Sequence, residues 1–570
     1  MKKRLNYRYK KPVKSRFIIV SLSFMICFFV LVTRLVYLQI IKHRHYNKIA
    51  ENNRSIVIPL FPKRGLILDR NLRELVINVP KYSLYAVPRD ITEKDRIAEY
   101  IAEVLGKNKE EIFSKISNDR MFMWISRKLS DDLALKIKSQ RFTGIDFVLE
   151  NERSYPNNSL AAHVLGFVDI DNNGLEGIEK YYEKELQGIK GYRTAIVDAK
   201  RRQVSSVDDY FLPPRDGHNI VLTIDETIQH IAEKALLAGI KKHHPKSASA
   251  IVMNPSNGDI LALCNWPSYD LNNYINSAAD VRRNRALTDI LEPGSSFKIV
   301  TASAALEEQI VELEDEFYCE NGSYHITGRV LHDYKPYGAL KFKNIIELSS
   351  NIGTVKVAQK LGKEKLYKYI KLFGFGQEVG IDLPGEVKGI VHRVSKWSKG
   401  SMAAVPIGQE IAVTTIQLAA AISCIANDGI LVRPKIVKKM MDNNEALIKE
   451  FEPKLVRRVM SKETCFKVKE ILRMVVESGT GKQAAMPNYS AAGKTGTAQR
   501  LESDGSYSRS KFNSIFIGFT PVDNPRLAIA VVFVEPHPYY YGGIVAAPVF
   551  SEIASKTLRY MGIPPDLPSG

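Results

Sequence analysis

Three short motifs in the second half of the chain contain residue types that can catalyse acyl transfer. The first is Ser295-Ser296-Phe297-Lys298, a serine followed three residues later by a lysine. On a helix this spacing places the two side chains on one face. A serine hydroxyl becomes an effective nucleophile only when a neighbouring base removes its proton, and a buried lysine with a lowered pKa can be that base. The motif therefore predicts nucleophilic catalysis with Ser295 as nucleophile and Lys298 as base.

The Ser-x-x-Lys pattern occurs twice, and its surroundings separate the two copies. Residues 508–511 (SRSK) lie in a polar stretch without periodicity, which predicts a solvent-exposed loop. Ser295 instead follows a Pro-Gly turn and opens a segment with apolar residues at helical spacing, which predicts a buried helix. The N–H groups and partial positive charge at the start of that helix could stabilise an oxyanion.

The second motif is Ser349-Ser350-Asn351. The Ser349 hydroxyl could relay a proton between the lysine and a leaving group. The Asn351 carboxamide could hold a peptide carbonyl or N–H. Taken alone, a Ser-x-Asn sequence is more typical of a turn than of a catalytic site.

The third motif is Lys494-Thr495-Gly496-Thr497, and its small neighbours are typical of a strand. Lys494 would supply a second cation, and the hydroxyls of Thr495 and Thr497 could bind a carboxylate. Gly496 would let a substrate approach the backbone closely, and the Thr497 N–H is a candidate oxyanion donor. An isolated motif of this kind is more often an edge strand with a solvated lysine.

The elements that must position these motifs can be predicted from the flanking sequence. They are a helix over 225–242, hairpins over 248–264 and 514–534, and a closing helix over 549–560. Strands near both ends of this region, with helices between them, predict an α+β fold with one antiparallel sheet packed by helices.

The N-terminus carries a basic segment followed by a candidate membrane anchor. Formal net charge is +19, from 81 Lys and Arg against 62 Asp and Glu, and eight of the cations lie within 1–16. Residues 17–33 then contain no charge, which predicts an uncleaved single-pass anchor over 17–41 with the N-terminus in the cytoplasm. The positive charge therefore indicates membrane topology, and no motif supports nucleic-acid binding.

Length and composition bound the rest of the chain. At 570 residues with 45% hydrophobic and 25% charged residues, it is a globular protein of several units, which excludes disordered, collagen-like and disulfide-miniprotein classes. We predict a basic tail (1–16), the anchor (17–41), a charged mixed α/β domain (42–215) and a compact domain that carries the three motifs (216–570). The five cysteines show no metal-binding spacing, and both free thiols and a disulfide stay open.

Taken together, the motifs resemble those of class B penicillin-binding proteins, most closely the division-type (septal) peptidoglycan D,D-transpeptidases. The resemblance covers nearly the whole chain. Upstream matches are 34–39 (RLVYLQ), 64–71 (RGLILDRN), 153–156 (RSYP), 163–166 (HVLG) and 174–177 (GLEG). Catalytic-domain matches are 222–225 (LTID), 284–286 (NRA), 292–298 (EPGSSFK), 408–409 (GQ), 479–481 (GTG) and 492–499 (AGKTGTAQ). Residues 540–543 (YYGG) with 546–550 (AAPVF) favour the division type, whereas the loop 331–340 matches nothing.

The resemblance implies that 42–215 is an elongated, mixed α/β, non-catalytic pedestal and that 216–570 is a penicillin-binding/serine β-lactamase-like transpeptidase domain. It also implies a mechanism without metal or cofactor. Ser295 would form an acyl-enzyme with Lys298 as base. Ser349 and Lys494 would complete the proton network, and Asn351, Thr495, Gly496 and Thr497 would bind the donor peptide. The implied ligands are peptidoglycan stem peptides and β-lactams. The implied partners are a polytopic septal glycosyltransferase and other division proteins. C-terminal repeats of many Gram-positive relatives are missing, so we expect an inner-membrane protein with a periplasmic catalytic domain at the septum.

Several alternatives remain at this point. An elongation-type transpeptidase would have the same site but act along the side wall. A β-lactamase or a carboxypeptidase would pass the acyl group to water instead of an amine. From a different class, the protein could be a non-catalytic β-lactam sensor or an envelope scaffold, and a scaffold would tolerate loss of Ser295.

Overall fold

The computed structural model describes residues 13–118, 120, 122–197, 203–205, 211–502 and 506–568. Most of the basic tail predicted for 1–16 lies outside them. The chain divides into two compact units, one formed by Met1–Pro62 with Ile189–Arg215 and the other by Lys63–Gly188 with Asp216–Gly570. The domain boundaries predicted at 41/42 and 215/216 stay predictions.

The described helices are α1 (Val13–Val36), α2 (His43–Arg54), α3 (Lys94–Leu105), α4 (Lys109–Ile116), α5 (Asp131–Ser139), α6 (Ala162–Leu165), α7 (Gly177–Tyr181), α8 (Glu183–Gln187), α9 (Glu226–His243), α10 (Ala279–Arg282), α11 (Arg285–Thr288), α12 (Lys298–Glu307), α13 (Phe342–Glu347), α14 (Asn351–Leu361), α15 (Lys363–Leu372), α16 (Ser401–Ala404), α17 (Thr415–Ala426), α18 (Lys462–Glu477), α19 (Gly542–Val545) and α20 (Ala547–Tyr560).

The described strands are β1 (Ser55–Leu60), β2 (Ile67–Leu68), β3 (Glu74–Ala86), β4 (Met123–Leu129), β5 (Ile145–Ser154), β6 (Gly191–Val197), β7 (Gln203–Ser205), β8 (Phe211–Leu212), β9 (Asn219–Leu222), β10 (Ser247–Met253), β11 (Ile260–Trp266), β12 (Glu316–Tyr318), β13 (Ser323–Ile326), β14 (Arg329–His332), β15 (Ala339–Lys341), β16 (Ile430–Val432), β17 (Val437–Met441), β18 (Leu447–Glu450), β19 (Leu455–Arg458), β20 (Ala492–Leu501), β21 (Tyr507–Thr520) and β22 (Leu527–Val534).

The first unit contains the helix predicted to anchor the chain. Within the described residues, Lys14–Ile41 is the one helix long and apolar enough to cross a bilayer. Its large apolar side chains are exposed, for example Phe17 at 71% and Phe24 at 73%. Such a surface is stable in hydrocarbon and not in water, so the helix fits a single-pass membrane anchor. The same unit holds a small sheet in the order β1-β6-β7, with β8 also paired to β6.

The second unit is built around a five-stranded antiparallel sheet in the order β11-β10-β22-β21-β20. Alternate residues of β22 enter separate apolar cores on the two faces of the sheet. Phe533 packs with α9 and α20, whereas Val532 packs with α12 and α17. This arrangement confirms the predicted α+β sheet assembled from distant parts of the chain.

A second sheet joins the upstream segment 63–188 to the catalytic segment. Its order is β18-β17-β9-β2-β3-β4, with β5 also paired to β3. Strand β2 pairs in parallel with β9, Ile67 opposite Ile220. Of the two charged stretches in the upstream segment, 93–105 contains α3, and 176–186 contains the two short helices α7 and α8.

A buried ion cluster connects two of the upstream motifs. The Glu179 carboxylate accepts from Arg64 Nε and from Arg153 Nε, each at 2.6 Å, and Glu179 is fully buried. Both arginines are also buried. Buried charges are stable only when they are paired, so each member depends on the others.

Replacing Glu179 with glutamine should therefore destabilise the second unit. Among the described residues, Arg153 would lose its counter-charge and Arg64 would keep only Glu183, so we expect a loss of about 3–5 kcal/mol in the free energy of unfolding. Thermal unfolding of the full chain in detergent measures this change. As a control, Glu111→Gln removes the carboxylate of an exposed ion pair with Lys115 and should leave the midpoint nearly unchanged. Equal midpoints for the two variants would contradict the assigned role of the cluster.

Candidate active site

The predicted nucleophile lies in a tight turn just before helix α12. Gly294–Phe297 forms a 3-10 turn, and the α-helix begins only at Lys298. Gly294 has a φ of 52°, and a Cβ there would lie 2.7 Å from the carbonyl oxygen of Thr497. Glycine is required by both the backbone angle and the close approach. The turn is thereby held against β20, with Ser295 partly exposed and Lys298 fully buried.

Lys298 contacts the second motif directly. Its Nζ donates to Ser349 O at 2.7 Å and to Asn351 Oδ1 at 2.8 Å, and lies 3.2 Å from Ser349 Oγ. A neutral amine has two N–H donors and one lone pair. The two carbonyl oxygens can occupy both donors, which leaves the lone pair free to accept a proton.

The electrostatics of the site favour that neutral form. Burial lowers the pKa of Lys298 to about 7, while the negative charge of Asp333 opposes the shift. A large fraction of Lys298 is therefore deprotonated near neutral pH and able to act as a base. Within the described residues, Ser295 Oγ has no hydrogen-bond partner, and no hydrogen bond joins it to the Lys298 amine. Removal of the Ser295 proton by Lys298 stays a prediction.

Ser349 lies between the two lysines. Its Oγ accepts from Lys494 Nζ at 3.0 Å as well as facing Lys298 Nζ. Its φ of 61° is unusual for a residue with a side chain, which is a form of strain often stored at functional sites. Burial and the charge of Lys298 lower the pKa of Lys494, because two ammonium groups on one hydroxyl repel each other. The pair is thus disfavoured in its doubly protonated form.

The third motif lies on β20, the edge strand of the five-stranded sheet. Thr495 Oγ1 lies 2.8 Å from Thr480 Oγ1, and Thr497 Oγ1 accepts from Gly542 N at 3.1 Å. An edge strand has backbone groups without a partner strand, so a peptide can pair along it. Lys494 is fully buried, unlike the solvated lysine typical of an isolated motif.

Gly496 is needed for packing as well as for access. A Cβ at this position would lie 2.7 Å from Pro293 O and 3.1 Å from the Ser296 Cβ. The contact is with the turn that carries Ser295, so a larger residue would push the nucleophile away from β20. Substrate approach at Gly496 stays a prediction.

The structure brings Lys298, Ser349, Asn351 and Lys494 into one hydrogen-bonded group. Asn351 also donates from Nδ2 to His332 O at 2.9 Å, so its amide holds Lys298 and the neighbouring loop in place. One Nδ2 hydrogen is left for a substrate, and the contact of Asn351 with the donor peptide stays a prediction.

Asp333 is a functional residue that sequence reasoning missed. Its carboxylate accepts from Ser350 Oγ at 2.6 Å, and from Asn351 N and Ile352 N at the start of α14. It therefore fixes the second motif from a loop 18 residues upstream of Asn351 and contributes charge near Lys298. A cap supplied from so far along the chain leaves no local sequence signal.

The prediction of a solvent-exposed loop around Ser508 is wrong. Ser508 lies in β21, is buried, and its Oγ accepts from Lys511 N at 3.1 Å. The polar residues extend a strand paired with β20, where Tyr507 is opposite Leu501. Strand pairing outweighs the local preference of these residues for a loop. The second Ser-x-x-Lys copy is thus extended, and its serine and lysine do not share a helical face.

The pKa of Lys298 predicts how acylation depends on pH. If the neutral amine removes the Ser295 proton, the rate follows the deprotonated fraction of Lys298. Below the pKa of about 7 the rate should fall about tenfold per pH unit, and above it the rate should level off. The second-order rate constant for labelling by a fluorescent penicillin, measured across this range, checks the expectation.

Asp333→Asn tests the cause of that profile. The acid limb is the part of the pH–rate profile in which the acylation rate falls as the pH is lowered. Because the Asp333 charge raises the Lys298 pKa, removal of this charge should shift the acid limb to lower pH. Asparagine keeps an oxygen that can accept from Asn351 N. As a control, Glu320→Gln removes a nearby carboxylate that is paired with Lys356, and it should leave the limb in place. An unshifted limb in Asp333→Asn would contradict the assignment.

Comparisons with known proteins show which family the chain is similar to. Residues 248–555 match the family model for the penicillin-binding protein transpeptidase domain, and 59–222 match that for the penicillin-binding protein dimerisation domain. Stage V sporulation protein D of Bacillus subtilis is 36% identical, over 97% of this chain and 87% of the relative. Peptidoglycan D,D-transpeptidase FtsI of Escherichia coli is 30% identical, over 94% of this chain and 90% of the relative.

A solved structure shows the same fold. Penicillin-binding protein 3 of Mycobacterium tuberculosis in complex with aztreonam has a TM-score of 0.71 and 28% identity, over 90% of this chain and 99% of that one. Together with the two family models and the relatives, this likeness covers both the upstream and the catalytic segments. The chain belongs to the class B penicillin-binding proteins, in their division-type branch.

Proposed function

We propose that the protein is a peptidoglycan D,D-transpeptidase in which Ser295 carries the acyl group. Ser295 Oγ attacks the carbonyl carbon of the penultimate D-Ala of a donor stem peptide. The bond to the terminal D-Ala breaks, that residue leaves as the free amino acid, and an ester to Ser295 forms. The amine of a neighbouring stem peptide then attacks the ester, releasing Ser295 and forming the crosslink.

The observation that carries this proposal is the arrangement of two buried lysines on the Ser349 hydroxyl. Lys298 Nζ and Lys494 Nζ lie 3.2 and 3.0 Å from Ser349 Oγ. We assign Lys298 as the base that takes the Ser295 proton. Ser349 and Lys494 return a proton to the departing amine. The same path in reverse deprotonates the incoming amine, so protons balance over the cycle.

The donor peptide is proposed to bind along the edge of β20. Its terminal carboxylate would contact the hydroxyls of Thr495 and Thr497, near the Lys494 charge. Gly496 keeps this backbone accessible, and Asn351 orients the donor from the opposite wall. The N–H groups of Ser295 and Thr497 would hold the oxyanion of the tetrahedral intermediate.

β-Lactams fit the same proposal. A strained cyclic amide next to a carboxylate imitates the D-Ala-D-Ala terminus, so Ser295 would open it and form a stable ester. The M. tuberculosis relative of the same fold is described in complex with aztreonam and with ampicillin. For this chain, β-lactam acylation of Ser295 is the expected consequence.

Location and partners form a finer part of the proposal. The basic residues before the apolar helix support an N-terminus in the cytoplasm and a catalytic unit on the outer, periplasmic side of the inner membrane. We place the protein at the division septum, with a polytopic septal glycosyltransferase and other division proteins as partners. A fluorescent fusion at mid-cell supports this placement, whereas signal along the side wall favours an elongation role.

An exchange assay tests the proposed reaction. The full chain in detergent is given a donor peptide ending in D-Ala-D-Ala and a labelled D-amino acid as acceptor. We expect one D-Ala to be released for each labelled acceptor incorporated. D-Ala release without incorporation indicates a carboxypeptidase. No release with intact penicillin labelling would favour the non-catalytic β-lactam sensor, and no release without labelling would favour the envelope scaffold.

A further inference from the structure

A loop of the catalytic segment presents a row of uncompensated cations. Residues 387–409 contain no Asp or Glu, and 388–399 contain three lysines, one arginine and one histidine. These five side chains are exposed, and none forms an ion pair or hydrogen bond with any residue that the structure describes. They are Lys388, His392, Arg393, Lys396 and Lys399. We call residues 387–400 the cationic loop.

Two acids lie beside the cationic loop, the exposed Glu378 and its neighbour Glu386, and neither forms an ion pair with a loop cation in the part of the chain that the structure describes. Glu386 turns inward, and its carboxylate accepts from Gly380 N at 2.9 Å and Ile381 N at 3.3 Å. Lys371 lies beside the loop, and its pKa is lowered by burial and by the charges of Arg457 and Lys388. Cations here are thus close enough to repel one another, which marks a surface of positive potential.

The cationic loop has a defined conformation. Trp397 Nε1 donates to His392 O at 3.0 Å, and its ring meets Tyr367 of α15 edge-on at 6.4 Å. Ile390 and Ala412 exchange backbone hydrogen bonds of 2.7 and 3.0 Å at the base of the loop. Because the loop is already ordered, a ligand that pairs with its cations loses little affinity to ordering it.

The cationic loop leads directly to the turn that carries the nucleophile. It continues into α16 and then to Gly408, whose carbonyl oxygen accepts from Gly294 N at 3.1 Å. At its base, Leu291 pairs with Val413, next to the bridge made by Ala412. Backbone hydrogen bonds therefore connect the base of the cationic loop to the segment on which Ser295 is held.

We propose that the cationic loop is a docking surface for the anionic strand of nascent peptidoglycan, outside the catalytic cleft. This rests on the proposed function, in which each uncrosslinked stem peptide ends in a carboxylate. A strand carries such stems in succession, so it offers repeated negative charge to a row of cations. Each exposed pair is weak, but several pairs on one polymer act together.

Sedimentation with insoluble peptidoglycan tests the proposal. Purified sacculi, stripped of phosphate-containing polymers, are mixed with the full chain in detergent, and bound protein is measured in the pellet. The test variant is Arg393→Gln/Lys396→Gln/Lys399→Gln. The control, Lys234→Gln/Lys241→Gln/Lys242→Gln, removes three exposed cations from α9 and so has the same net charge.

We expect the test variant to bind sacculi about tenfold more weakly, because each of its three lost ion pairs contributes a factor of about two to three in affinity. The control should bind almost as tightly as the wild-type chain. Added salt should weaken the wild-type interaction towards that of the test variant. Equal losses in both variants, or no loss in either, would overturn the proposal. The test variant could instead lose binding to anionic phospholipid vesicles while binding sacculi as tightly as the wild-type chain. That result would overturn the proposal in favour of a lipid surface.

Penicillin labelling separates this proposal from the proposed function. Both triple variants should label at the wild-type rate, because none of the substituted cations belongs to the hydrogen-bonded group of Lys298, Ser349, Asn351 and Lys494. A Ser295→Ala chain should still sediment with sacculi although it no longer labels. The wild-type chain could bind sacculi more tightly than the test variant and yet never be labelled at Ser295. In that case the docking surface stands and the enzymatic proposal fails.

Discussion

A Ser295→Ala chain should lose covalent labelling by a fluorescent penicillin, by at least about 1,000-fold. The substitution removes the one atom that can form the ester, while Lys298, Ser349 and Lys494 keep their contacts. Because Ser295 Oγ has no hydrogen-bond partner in the described part of the chain, its loss should leave the thermal midpoint unchanged. Gel fluorescence after timed exposure measures the labelling, and a thermal scan checks the fold.

The second Ser-x-x-Lys copy provides the matched control. Ser508→Ala should label at nearly the wild-type rate, because the buried Ser508 hydroxyl accepts hydrogen bonds from its own strand. Labelling that survives in Ser295→Ala, or that depends on Ser508, would disprove the assignment of the nucleophile. A Ser295→Ala chain that restores division in a depleted strain would instead favour a scaffold role.

The local parts of the site were predictable from the sequence. Apolar periodicity after Ser295 predicts a buried helix, and α12 is fully packed from Lys298 to Leu306. The small residues around Lys494 predict a strand, and they form β20. These predictions hold because the signal is carried within one element, where spacing alone decides which side chains share a face.

The long-range parts could not be predicted. Asp333 reaches the start of α14 from a loop with no recognisable pattern, and Glu179 pairs with arginines more than 20 residues away. Such contacts depend on how elements pack, and no local propensity encodes them. The prediction of a loop at Ser508 was wrong for the same reason, since the conformation of this segment is set by its pairing with β20.

Lys298→Met should slow penicillin acylation by about 100- to 10,000-fold, the range typical for loss of a general base. Methionine fills a similar buried volume without an amine, so the cavity and desolvation costs stay small. The variant should remain folded although Ser349 O and Asn351 Oδ1 lose a donor. Acylation is measured under pseudo-first-order conditions with excess penicillin.

The pH profile of the residual activity decides which amine is the base. If Lys298 is the base, Lys298→Met both lowers the acylation rate and abolishes the acid limb near pH 7. Lys494→Met should also be slow, since Ser349 loses its second amine, but Lys298 would still impose an acid limb. An acid limb that persists in Lys298→Met and disappears in Lys494→Met would reverse the assignment, because Lys494 faces the same hydroxyl at 3.0 Å.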